Sequence, residues 1–171
     1  MRATWWRTSS DSALRTRPFH GDAATDVAAP LQACFALLAA VDRYPQWCPD
    51  VVRYVEVLEH DAEGQPRRVR MMIHVSRGTL AKEFQLLLAV TVEPPRSVTL
   101  TRVTDHPTNQ ELTAVWLLHA DTRTRMALHL DAQLRVPALV PTAGIPDEIA
   151  TAFVEAACRA LDRGTVQPIP R

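Results

Sequence analysis

Apolar residues recur along this chain in two rhythms, and the change between them divides it. Leu31, Cys34, Phe35 and Leu38 fall at i, i+3, i+4 and i+7, the stripe of a helix packed on a core. Ahead of them "GDAATDVAAP" (21–30) reads as a short first strand, ending on Pro30 at the first helical position, where a missing N–H costs nothing. The helix is expected to end before Tyr44, because Pro45 pushes the preceding residue out of the helical region. From Val51 to Leu130 the rhythm drops to period two. Turn signals interrupt it at "DAEGQ" (61–65), "SRG" (76–78), "EPPR" (93–96), "DHPTN" (105–109) and "DTRT" (121–124). Such short turns predict an antiparallel meander, read as five strands after the helices and six with the first.

Within the meander each strand has a greasy and a wet side. Val69, Met71, Ile73 and Val75 alternate with Arg70, Met72 and His74, and Leu80, Phe84, Leu86, Leu88 and Val90 alternate with Ala81, Glu83, Gln85 and Leu87. After the loop "VPALVPTAGIP" (136–146) the helical rhythm returns. Pro146 opens a helix with Asp147 and Glu148 in its first turn, and Ile149, Phe153, Ala156, Ala157, Ala160 and Leu161 form one stripe before Gly164 ends it. This last helix must cover the apolar face of the sheet, since no other element remains to do so. The predicted class is α+β: a strand, two short helices, a run of strands and a long helix.

Composition narrows the partners. At 171 residues the chain suits one domain that needs no staples. Lysine plus arginine equals aspartate plus glutamate at 19 each, so there is no basic field for nucleic acid; Lys82 is the only lysine. Cys34, Cys48 and Cys158 are odd in number and form no C-x-x-C pair, which favours reduced thiols, a cytoplasmic setting and no metal site. The apolar runs "FALLAAV" (35–41) and "LLLAV" (86–90) are far shorter than the ~20 residues of a membrane helix. Residues 1–20, with Trp5 and Trp6, read as a disordered leader, 21–164 as the domain and 165–171 as a short tail. A leader that touches a membrane or partner through the two tryptophans is the alternative.

The element order, with "VAAPLQACFALLAAVDRYPQWCPDVV", "AVWLLHADTRTRMALHLDAQLRVPALVP" and "FVEAACRAL", resembles the START-like, helix-grip (SRPBCC) superfamily over about residues 22–163. The nearest group holds polyketide cyclase/dehydrase-like, coenzyme-Q-binding START and ribosome-association toxin-like proteins. The resemblance implies a curved antiparallel sheet wrapped around the long C-terminal helix, enclosing a deep apolar cavity whose rim includes the corner after the first helices. Tyr44 and Trp47 are then expected at the cavity mouth, where amphipathic rings cover an apolar ligand and keep an edge in water. The alternative is that Trp47 plugs the sheet edge as core.

No catalytic motif is evident: there is no G-x-S-x-G, H-E-x-x-H or phosphate loop. His20, His60, His74, His106, His119 and His129 are scattered and read as ordinary surface or hydrogen-bonded residues. Arg102 shares parity with Val98 and Leu100, so it either points into the cavity, as the one catalytic candidate, or snorkels out at the strand end. Trp116 depends on the hairpin at 121–124. A two- or four-residue loop places it with His129 and Asp131, with Val115 and Leu117 facing the core; a one-residue slip reverses this. Aromatase/cyclases typically carry arginines just after an aromatic on the middle strand, and leucines follow Phe84 here, so that arginine is not carried over.

The expected ligand-binding set is Tyr44, Trp47, Met71, Ile73, Phe84, Leu86, Leu88, Arg102, Trp116, Leu128 and Phe153, with no cofactor and no metal. The first functional reading is binding of an apolar small molecule such as a quinone, lipid or polyketide. A polyketide cyclase or dehydratase using the same cavity is the second, and it requires a polar group aimed inward. The third is a protein-interaction domain of the toxin-like type, with a filled cavity and an exposed apolar patch.

Overall fold

The structure, a computed structural model, describes residues 14–104, 111–137 and 142–164. The expected turn at 105–109, residues 1–13 of the leader, loop residues 138–141 and the 165–171 tail lie outside the described residues. Seven strands form one antiparallel sheet: β1 (Leu14–Val27), β2 (Val52–His60), β3 (Pro66–Arg77), β4 (Leu80–Glu93), β5 (Ser97–Arg102), β6 (Leu112–Ala120) and β7 (Thr124–Pro137). Between β1 and β2 run α1 (Leu31–Ala39), a 3-10 turn (Val41–Arg43) and α2 (Tyr44–Trp47), and α3 (Ile145–Gly164) ends the described chain. The sheet order is β1-β7-β6-β5-β4-β3-β2, a meander from β2 to β7 with β1 added beside β7. This is the α+β helix-grip arrangement, with α3 held against the sheet and two short helices after the first strand.

Three expectations need correction. Six strands follow the helices, seven with the first, because the five turn segments separate six runs of alternation. The first strand is long: pairing with β7 begins at Leu14↔Pro137, so β1 takes up residues 14–20 of the segment read as leader. Its arginines had masked the alternation. α1 does end before Tyr44, at Ala39, but Tyr44 itself has helical angles, φ −54° and ψ −39°, despite the proline after it. Its fully buried ring and the hydrogen bond from its hydroxyl to the Leu38 carbonyl, at 2.7 Å, outweigh the pre-proline preference, while Pro45 occupies the first turn of α2.

The amphipathic stripe of α3 works as read, with a slight rotation. Phe153, Ala156, Ala157 and Leu161 are buried, and Ala150 and Val154 join them in place of the half-buried Ile149 and Ala160. That rotation turns the helix toward β1. Gly21 permits the approach: a Cβ there would lie 2.4 Å from the backbone carbonyl of Pro146. Beside it, the Asp22 N–H donates to the Asp147 side chain at 3.0 Å, satisfying a backbone group on the outer edge of β1. Thr124, buried at the start of β7, donates to the Ala29 carbonyl at 2.8 Å and ties the end of β1 to the sheet. No helix of the described residues is long and apolar enough to cross a membrane.

Adding a methyl at Gly21 forces β1 and α3 apart. Gly21→Ala is expected to cost roughly 1–3 kcal/mol, read as a melting temperature several degrees lower; an unchanged melt would contradict this close approach.

Candidate functional site

Strand register identifies the side chains that share the face turned toward α3, since directly paired residues project to the same side. Val69 pairs with Leu88, Met71 with Leu86, Ile73 with Phe84 and Val75 with Lys82. Leu88 then pairs with Arg102, Val98 with Trp116, and Trp116 with Leu128. The expected strand residues Met71, Ile73, Phe84, Leu86, Leu88, Arg102, Trp116 and Leu128 therefore lie on one inner face. Residues 121–123 close the β6–β7 hairpin, since Ala120 pairs with Thr124. This three-residue loop selects the register that buries Trp116, and leaves Leu117 exposed on the outer face.

The inner face differs along its length. Under α1 and the following corner it is tightly filled: Val69, Val98 and Met126 are wholly buried, and Trp116 and Leu128 are at most 1% exposed. Toward the β3–β4 hairpin and the start of β6 the inner side chains Ile73, Val75, Phe84, Leu112 and Leu130 are only half-buried, as is Ile149 on α3. The described side chains thus fill one half of the interior and leave apolar surface accessible in the other.

Four aromatics make the packed half. Tyr44 and Trp47 lie 4.7 Å apart between ring centroids, and Phe153 of α3 meets Tyr44 and Trp116, each at 6.3 Å and edge-on. The structure buries Tyr44 in the core and not at a rim, and for Trp47 it takes the alternative reading, as core, because the corner packs against Phe153 of α3. Burial pushes the Tyr44 phenol well above its ordinary pKa, against a hydrogen bond with Trp116. Burial likewise pushes the Cys48 thiol up to about 11. Trp47 Nε1 is buried without a hydrogen-bond partner, an orphan donor beside Phe153.

At the half-open end the inner face carries charge. Arg102, half-buried at the end of β5, keeps the parity read for it and stands beside Leu88. Arg77, at the tip of the β3–β4 hairpin, donates to the Ala143 carbonyl at 3.1 Å and pairs with Glu148 at 3.5 Å, tying the hairpin to the start of α3. Gly78, at φ +61°, supplies the tight reversal there. Lys82 sits over Phe84, its ammonium 5.1 Å from the ring centroid. Sequence reasoning passed over Lys82, although position 82 falls within the greasy series of β4. It also missed Leu112, Leu130 and Ile149, whose contribution depends on how far the interior is filled.

Outside the interior, an open groove of about 520 Å³ runs between β1 and α3, lined by residues such as Thr25, Val154, Cys158 and Arg159. It includes none of the expected site residues. On the outer face of β1 and β7, His20 pairs with Asp131 and His129 with Asp22. Among the described residues no group of three or more His, Cys, Asp or Glu side chains is arranged to hold a metal. The three cysteines are free.

The sequence family described as polyketide cyclase/dehydrase and lipid transport matches residues 27–157. No curated protein sequence matches the chain. Among solved structures, a START superfamily protein from Mycobacterium smegmatis superposes with a TM-score of 0.65 at 16% identity, covering 84% of this chain and 97% of its own. The ZhuI aromatase/cyclase from Streptomyces sp. R1128 gives 0.59 at 20% identity, covering 87% and 96%. Ginseng major latex-like protein 151, from Panax ginseng, gives 0.60 at 11%, covering 88% and 99%. At these identities the likeness concerns the fold.

The packed half yields two predictions. Tyr44→Phe strands the Leu38 carbonyl and is expected to cost roughly 1–3 kcal/mol in urea unfolding; no loss would mean that this hydrogen bond is not made. Because the folded state holds the Cys48 proton more tightly than the unfolded chain, whose thiol titrates near 9.0, stability is full below that pH and declines as pH rises toward about 11. Cys48→Ala should lessen the decline, as measured by urea unfolding across that range, and an unaltered slope would exclude Cys48 as a source.

Proposed function

The chain belongs to the polyketide cyclase/dehydrase and lipid transport family, and on that premise we propose that it binds a hydrophobic small molecule, of quinone, lipid or polyketide type, in the half-open part of its interior. One observation carries the reading: Ile73, Phe84, Leu112, Leu130 and Ile149 are half-buried on the inner side, where the described side chains leave their apolar surface partly uncovered. Interior apolar surface left accessible costs about 25 cal/mol per Å² relative to covering it, so a ligand that covers it is stabilised in proportion. The packed aromatics form the floor of this site, and Met71, Leu86 and Leu88 its wall. On the same reading the protein acts in the cytoplasm, with its thiols reduced.

A polyketide aromatase/cyclase or dehydratase working in the same interior is the second reading. The family description and the fold shared with ZhuI favour it. Arg102 is its candidate for the group that binds a carbonyl or enolate oxygen, since it shares the inner face with Leu88. The protein-interaction reading has less behind it. Exposed Tyr54 and Leu58 lie on β2 and exposed Leu117 on β6, with three strands between them in the sheet, so they do not merge into one patch.

Native mass spectrometry of the purified protein, with organic extraction of whatever co-purifies, tests the proposal. A stoichiometric apolar molecule is the expected result. An empty protein whose melting temperature does not rise with quinones, lipids or aromatic polyketides would overturn it.

A further inference from the structure

Lys82, the only lysine of the chain, occupies an inward position on β4. It pairs with Val75 across the ladder and lies two residues from Phe84, whose ring its ammonium overlies. Charges near it are already engaged or face away. Arg77, on the same face, is held by the Ala143 carbonyl and Glu148. Glu83 projects to the opposite face, 3.6 Å from His74. Among the described residues no carboxylate pairs with Lys82, whose ammonium lies over the Phe84 ring.

An ammonium over a phenyl ring gains a modest cation–π attraction and keeps its capacity for anions. Here it stands where the half-buried Ile73 and Phe84 present apolar surface. A molecule lying on those two residues would bring one end within reach of the exposed ammonium, whose charge attracts an anion. We propose that the half-open end of the interior is a site for amphiphilic anions, in which Lys82 pairs with a carboxylate or other anionic oxygen group while the apolar body lies on Ile73 and Phe84. This inference rests on the interior-binding reading above and adds the charge of the ligand to it.

Two dyes that share a ring skeleton separate the two claims. Anilinonaphthalene sulfonate is anionic, and phenylnaphthylamine is its uncharged counterpart; both brighten in apolar surroundings. Fluorescence titration of the full chain is expected to show both binding. Lys82→Met, which keeps an apolar stem, should weaken the sulfonate about three- to tenfold and leave the neutral dye unchanged, while Lys82→Arg should retain the sulfonate. If both dyes bind and Lys82→Met does not weaken the sulfonate, the anion site is overturned and the interior-binding reading stands. If neither dye binds, both are overturned. Competition with laurate and with naphthoate then tells an acyl anion from an aromatic one, and displacement of the sulfonate by neither acid would count against the anion site.

Discussion

Everything in this fold depends on α3 lying against the inner face of a sheet whose first strand must let it in. The permission is steric: at Gly21, β1 has no side chain where Pro146, in the first turn of the helix, passes. The neighbouring Asp22 N–H then finds its acceptor in Asp147, so one contact both admits the helix and satisfies a backbone donor on the edge strand. With its start held there, and with the hairpin tip tied to it through Arg77, α3 delivers Phe153 to the middle of the interior. The aromatic cluster forms around that ring.

The unequal filling of the interior follows from how short the first helices are. The segment from α1 to α2 covers one part of the inner face and packs it with Tyr44, Trp47 and Trp116, a dense unit stabilised by edge-on ring contacts and by the Tyr44–Leu38 hydrogen bond. Beyond that cover, the strands run on toward the β3–β4 hairpin with their apolar side chains only half-buried. One half therefore supplies cohesion, and the other keeps accessible the surface a ligand needs. The orphan Trp47 N–H lies in the dense half, where an unpaired donor is costly.

Within the family the fold is shared and the chemistry varies with the polar groups on the inner face. This chain has leucines where the resemblance to aromatase/cyclases suggests arginines after Phe84, and Arg102, Arg77 and Lys82 are among the cations at inward positions of its sheet. Their placement at the half-open end, away from the packed aromatics, leaves charge where solvent can reach it. A cation in the dense half would have no such relief.

Periodicity alone determined a great deal. The stripe of Leu31, Cys34 and Leu38, the alternations of β3 and β4, and the amphipathic run of α3 each reflect burial of one side of one element, which local spacing records directly. What stayed illegible depended on relations between elements. The length of β1 was hidden because arginines interrupt its alternation, and its partner β7 is more than a hundred residues away. The face of Trp116 turned on a single residue in the β6–β7 loop, since a shift of one reverses every side chain. Whether Tyr44 and Trp47 stand at a rim or in a core depends on which way the corner folds against Phe153, and the inward place of Lys82 gains meaning only beside Val75 and Phe84. Sequence spacing determined which residues share a face; only the tertiary structure decided how completely that face is covered, because coverage comes from elements distant in the chain.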